Sequence, residues 1–329
     1  GMKAAARSRG EDVIDLGMGN PDQPPAPHII EKLKEVASNP KAHGYSTSRG
    51  INGLRKAQAS YYQRRFGVEL DPEKEIVVSI GSKEGLANLA SAITSGGDSI
   101  LVPNPSYPIH PYGFVIAGGS IRHVPKTDDI PFIDQLKNAI KHTSPTPKAL
   151  VLNYPCNPTA ETVDLAFYEE IVDLCRHHGI WILSDLAYCE LYFDGNPPPS
   201  ILQVKGAKDI AIEFTSTSKT YSMAGWRMGF AVGNPTLVGA LTRIKSYLDY
   251  GAFTPIQVAA TAALNGPQDC VEELRTMYRE RRDVLVDGLH KSGWDVTIPT
   301  ATMFVWAKIP PAFAHLKSLE FSKQLLSEA

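Results

Sequence analysis

The stretch from Thr215 to Gly229 reads TSTSKTYSMAGWRMG and sets a single lysine, Lys219, behind Ser216 and Ser218, with Arg227 eight residues further on. An amine crowded by hydroxyls and a second cation suits the capture of a phosphorylated aldehyde. The amine takes the carbonyl as an imine, while the hydroxyls and the guanidinium take the phosphate. The same string is also compatible with a Ser/Thr-rich turn carrying a surface lysine. The other parts of such a site therefore have to come from elsewhere in the chain.

The elements that would position them are legible from residue 75 onward. Apolar strands are expected at 75–80, 99–105, 120–124, 148–155, 179–185, 209–215 and 227–233, with helices between most of them. Strands that are apolar throughout, alternating with helices, predict a mostly parallel sheet buried on both faces. Before this region lie a short strand at 12–16, a Gly/Pro-rich loop at 17–27 and helices at 28–37 and 51–66. After it come helices at 235–247, 255–264 and about 268–291, strands at 295–299 and 303–309, and a last helix at 319–329. His177 and His178 before Gly179 read as a helix C-terminus. The expected organisation is a large α/β domain over 38–268 and a smaller α+β domain built from 1–37 and 269–329.

In an open α/β sheet, ligands sit where strands end and helices begin. Ser82 and Lys83 follow Gly81 at the first such edge, where a helix N-terminus can seat an anion. Tyr107 stands at the second edge, positioned to stack on a flat ring. Asn157 precedes Pro158 at the fourth and offers an amide. Asp185 ends the very apolar strand 179–185, where a carboxylate is costly unless paired. A protonated pyridine nitrogen would pair it, and Tyr188 follows three residues later to reach a ring hydroxyl. Each residue also has an ordinary reading: Ser82 as a helix cap, Tyr107 as a core or turn tyrosine, Asn157 as an Asn-Pro turn, Asp185 as a turn cap. Taken together with Lys219, they make up the set that a pyridoxal 5′-phosphate site needs.

These motifs resemble the fold-type I pyridoxal-phosphate aminotransferases of class I/II. HGYSTSRGINGLR, VSIGSKEGL, LVPNPSYPIHPYG, NPTA, SDLAYCELYFDG and TSTSKTYSMAGWRMGF are similar to the bacterial glutamate–pyruvate (alanine) branch, which is related to the LL-diaminopimelate aminotransferases. The resemblance runs from about Gly10 to the last residue. It implies that Lys219 bonds the cofactor and carries the proton, and that Asp185 pairs with the pyridine nitrogen. Tyr188 and Asn157 would bond the ring oxygen, and Tyr107 would stack on the ring. Ser82, Lys83, Ser216, Ser218 and Arg227 would hold the phosphate, and Tyr45 would reach the phosphate of a partner subunit in a homodimer. Gly19 would contact the substrate carboxylate, with Asn157 and Tyr107 also lining the substrate site. The family's C-terminal arginine, which clamps that carboxylate, has no counterpart near Ala329, and the family's leading segment is also missing. The resemblance therefore implies a chain shortened at both ends, with Arg49 as a nearby alternative cation.

The implied reaction is ping-pong transfer of an amino group between an L-amino acid, alanine or glutamate, and a 2-oxo acid, pyruvate or 2-oxoglutarate. The alternatives are an LL-diaminopimelate or aspartate aminotransferase, a C–S β-lyase using the same cofactor, and an inert cofactor-binding protein. Composition narrows the field further. Net charge −2 with no long basic run gives no footprint for nucleic acid, and no apolar run reaches membrane-spanning length. Cys156, Cys175, Cys189 and Cys270 lack metal-ligand spacing and fit a reducing cytoplasm, so no metal is expected.

Overall fold

The computed structural model describes residues 2–127 and 129–328. Before the sheet come α1 (Met2–Ser8), α2 (Pro27–Ala37) and α3 (Asn52–Phe66). The alternating region follows as β1 (Ile76–Ser79), α4 (Ser82–Ile93), β2 (Ser99–Asn104), α5 (Ile109–Ile116), β3 (Ser120–Pro125), α6 (Phe132–Lys141), β4 (Ala149–Asn153), α7 (Leu165–His178), β5 (Trp181–Asp185), β6 (Ala211–Ser216), α8 (Thr217–Thr220) and β7 (Gly229–Gly233). The chain then continues through α9 (Pro235–Leu248), α10 (Thr254–Asn265), α11 (Asp269–Lys291) and α12 (Ser318–Glu328).

The seven strands form one sheet in the order β1-β7-β6-β5-β4-β2-β3. The pairs from β6 across to β3 are parallel, whereas β7 runs antiparallel to both β6 and β1. The inner strands are buried on both faces, because successive side chains feed two separate cores, whereas the edge strand β3 is largely exposed. Leu150 and Leu152 point into one, with Leu54, Tyr62 and Tyr168 from α3 and α7. Ala149 and Val151 point into the other, with Leu86, Phe114 and Leu241 from α4, α5 and α9. The fold is thus the α/β class expected, with a mostly parallel seven-stranded sheet. Arg176, His177 and His178 finish α7, and Gly179 caps it in the left-handed conformation at φ 66°.

Three expected strands do not form. Residues 12–16 form no strand, and Ile14 and Leu16 are 80% and 77% exposed. The segments 295–299 and 303–309 likewise lack a ladder. Around them only an isolated bridge joins Tyr192 to Ala301, beside bonds from the Phe193 N–H to the Thr300 carbonyl and from the Thr302 N–H to the Leu191 carbonyl. Thr302, a β-branched residue at φ 71°, turns the chain out of line between them. These short segments look like strands in isolation, but pairing needs a neighbouring edge that local sequence does not reveal. Helix α1 is not expected from the sequence, and the last position expected for the final helix, Ala329, lies outside the described residues. Among the described residues no helix is long and apolar enough to cross a membrane.

A buried acid ties the sheet to its covering elements. Glu213 on β6 accepts from Tyr62 Oη at 2.9 Å, Ser184 Oγ at 3.0 Å, Ser200 Oγ at 2.5 Å and the Ile201 N–H at 3.2 Å. Burial pushes its carboxyl above the usual range, and those donors oppose the rise. Replacing Glu213 with alanine strands four donors, so it should destabilise the fold by about 3–5 kcal/mol. Urea unfolding measures this, and an unchanged midpoint would show that the network does not support the sheet.

Candidate active site

Asn153 and Asp185 are register partners at the ends of β4 and β5, and Asp185 is in turn level with Phe214 on β6. Two residues further along β6, Ser216 caps the short α8 that carries Lys219. Parallel register therefore brings the acid and the helix that carries the lysine to the same edge of the sheet. Asp185 is buried, and its Oδ2 lies 3.0 Å from Nε2 of the equally buried His110 on α5. Its Oδ1 also accepts the Ala187 N–H at 3.2 Å, so the turn-capping role is realised as well.

Tyr188 lies next to this acid. Burial raises its phenol well above the ordinary value, the neighbouring Asp185 charge adds to the rise, and a hydrogen bond from the Asn157 side chain offsets part of it. Asn157 is held in turn by Asn153, whose Oδ1 accepts the Asn157 N–H at 2.8 Å while its Nδ2 donates to the Asp185 carbonyl at 2.8 Å. Tyr107 packs edge-on against His110 at 5.7 Å between centroids, and the Lys83 ammonium lies 5.8 Å from the Tyr107 ring centroid.

Lys219 is half-buried, and its Nζ donates to the Gly19 carbonyl at 2.7 Å. Burial first, and the nearby Arg227 charge second, lower the amine to about 8 from its ordinary 10.5. Ser216 Oγ lies 2.8 Å from Ser218 Oγ and 3.0 Å from the Met228 carbonyl, so the two hydroxyls are adjacent at the lysine turn. Arg227 occupies the left-handed region at φ 55°, and its guanidinium closes on Gly81. A Cβ on Gly81 would come within 2.3 Å of Arg227 Nη2, and one on Gly229 within 2.6 Å of the Ser82 nitrogen. Only glycine allows backbone and guanidinium to approach so closely. Ser82 is the first residue of α4, and Gly81 before it makes no side-chain cap, so the simple cap reading of Ser82 does not hold. Ser82, Ser216, Ser218 and Arg227 thus gather around Gly81 and Gly229 at a helix N-terminus, a donor set that fits a phosphate monoester.

Phe304 completes the wall. A Cβ on Gly19 would sit 2.6 Å from Phe304 Cε1, and the Phe304 ring packs edge-on to Tyr188 at 5.4 Å. Tyr45 stands apart at 88% exposure, its ring tilted against that of Tyr250 with centroids 4.6 Å apart. Arg49 turns toward Glu73, with Nη1 3.7 Å from Oε2. Sequence reasoning missed His110, Asn153 and Phe304. The first two left a signal. His110 is three residues after Tyr107 at a helix start, and Asn153 ends an apolar strand just as Asp185 does. Phe304 reaches the site only through the turn at Thr302. Among the described residues no His/Cys/Asp/Glu group could hold a metal ion.

A sequence model described as "Aminotransferase class I and II" matches residues 11–329. The chain is 56% identical over 328 residues to the glutamate-pyruvate aminotransferase AlaC of Escherichia coli (strain K12), an alignment covering 100% of this chain and 80% of that protein. It is 46% identical over 326 residues to an LL-diaminopimelate aminotransferase of Desulforudis audaxviator, covering 99% of this chain and 82% of that protein. Among solved structures, substrate-bound BacF from Bacillus subtilis superposes with a TM-score of 0.92 at 36% identity, covering 99% of this chain and 82% of that one. The family model, the relatives and the fold agree, and the chain belongs to the class I and II aminotransferases.

Proposed function

We propose that this aminotransferase works with pyridoxal 5′-phosphate and moves an amino group between alanine or glutamate and pyruvate or 2-oxoglutarate. The observation that carries the cofactor assignment is the pairing, on one sheet edge, of an amine lowered to about 8 with a buried Asp185–His110 couple. The family is pyridoxal-phosphate-dependent, and the seat around Gly81 suits the phosphate. Alanine is favoured over diaminopimelate as donor because identity to the glutamate–pyruvate enzyme is 56%, against 46% to the diaminopimelate enzyme.

When bound, pyridoxal 5′-phosphate supplies an electrophilic carbonyl and an electron-withdrawing ring. Ser82, Lys83, Ser216, Ser218 and Arg227 would hold its phosphate. Tyr107 would cover the ring, Asp185 would face the ring nitrogen, and Tyr188 with Asn157 would face the ring oxygen. Lys219 would meet the carbonyl carbon, with Gly19, Asn157 and Tyr107 toward the substrate. His110 fixes the Asp185 carboxylate, so that its charge is aimed rather than free to turn. Asn153 fixes Asn157 and, through it, the Tyr188 hydroxyl. Lys219 is the group that takes and returns a proton at Nζ. Its lowered basicity suits that task, because a catalytic base works best near ambient pH.

We further infer a homodimer in which Tyr45 serves the neighbouring site. Tyr45, Tyr247, Leu248 and Tyr250 are all more than half exposed, which is costly unless another surface covers them. Residues 38–268 would form the cofactor-binding unit, and 1–37 with 269–329 the smaller one. Four free thiols support a reducing, cytoplasmic setting.

Mixing the cofactor-loaded protein with alanine and 2-oxoglutarate should release pyruvate. A loaded protein that makes none would defeat the alanine assignment, and pyruvate formed from cystathionine without an oxo acid would favour the lyase. In cofactor-free protein, capture of pyridoxal 5′-phosphate requires the neutral amine. Its rate should therefore rise with pH through an inflection near 8. Arg227→Gln removes a cation that lowers the amine, so the inflection should move upward. An inflection that stays in place would mean that Arg227 does not act on Lys219.

A further inference from the structure

Lys245 on α9 is fully buried, with 0% of its side chain exposed. A lysine is rarely so placed unless it is paired, and this one is paired twice. Its Nζ donates to Glu84 Oε1 at 3.0 Å and to Asp249 Oδ2 at 2.9 Å. An apolar residue would hold α9 against α4 without the cost of burying a charge. What the ammonium adds is control of two carboxylates, each of which shapes a turn.

Glu84 lies in the first turn of α4, and its Oε2 accepts the Ile80 N–H at 2.8 Å. That bond closes the Ile80–Gly81–Ser82 turn, against which Arg227 packs. Asp249 Oδ1 accepts the Gly251 N–H at 2.6 Å, and its carbonyl accepts Ser48 Oγ at 2.5 Å. Gly251 sits at φ 80°, where a Cβ would lie 2.3 Å from the Thr47 carbonyl, so the 249–251 turn is pressed onto the segment that carries Tyr45. A continuous set of charged and backbone hydrogen bonds therefore runs from the Ile80 N–H through Glu84, Lys245 and Asp249 to Ser48 and Gly251, which lie three residues after Tyr45 and one after Tyr250.

We infer that Lys245 is a positioning residue for the phosphate end of the cofactor. It clamps Glu84 and Asp249 so that the Gly81–Ser82 seat keeps its shape and its register with the Tyr45 segment. The inference rests on the cofactor assignment proposed above. Its signature is selective, because a misshapen seat weakens the hold on phosphate but leaves the ring's contacts with Asp185 and Tyr188 in place.

The test compares binding of pyridoxal 5′-phosphate and of pyridoxal, which lacks the phosphate, to wild type and Lys245→Met by spectral titration. The dissociation constant for pyridoxal 5′-phosphate should rise about tenfold or more, as is usual when a supporting contact behind a ligand-binding group is removed, while that for pyridoxal changes less than about twofold. Equal weakening of both ligands, or none, overturns the inference even if thermal stability falls. If Lys245→Met does not fold, Glu84→Gln decides. It keeps the volume and an acceptor for Ile80 but loses the charge that Lys245 holds, and the same selective loss is expected. A wild type that gives no visible band with pyridoxal 5′-phosphate contradicts the cofactor assignment itself, and the role of Lys245 falls with it.

Discussion

A carboxylate at the end of a buried apolar strand must be paired, and the arrangement of this site follows from how Asp185 meets that demand. The sheet supplies the position: β4, β5 and β6 run parallel, so their ends arrive level. His110 supplies the partner at 3.0 Å and needs α5 to bring it back over the edge. The acid's second oxygen is held by a backbone N–H. A partnered, immobile charge can act on a ligand in front of it, whereas a free carboxylate would draw in water.

The other side of the site is built by close approach rather than by charge. Glycine at 81 and at 229 lets the Arg227 guanidinium and the start of α4 come together. Arg227 pays for this in backbone strain, taking a left-handed conformation that non-glycine residues seldom adopt. Its charge also lowers the basicity of Lys219. Anion seat and amine are thus coupled: the cation that suits a phosphate is one of the two causes, after burial, that bring Lys219 to about 8.

Much of this was legible in the sequence because the strands are apolar from end to end and the polar residues fall at their ends. Ser82, Asn157, Asp185, Ser216 and Lys219 fall at strand ends in the sequence itself. The position of β7 was not legible in this way, since no local pattern tells a strand which way to run beside its neighbour. The segments near 12–16 and 295–309 were misread for a related reason. A short stretch of strand-like residues is silent about whether an edge is available to pair with. Phe304 was out of reach because it arrives through a left-handed turn at a threonine, which propensity argues against. His110 and Asn153 were readable in principle, since both occupy edge positions that the same logic had used for Tyr107 and Asp185.

The central claim is that Lys219 is the covalent anchor of a pyridoxal 5′-phosphate site. The direct measurement is the visible absorbance of the cofactor-loaded protein beside Lys219→Ala. The account predicts a visible band in wild type that shifts when alanine is added and that Lys219→Ala abolishes. A band that survives the substitution, or a loaded wild type that shows none, would contradict it.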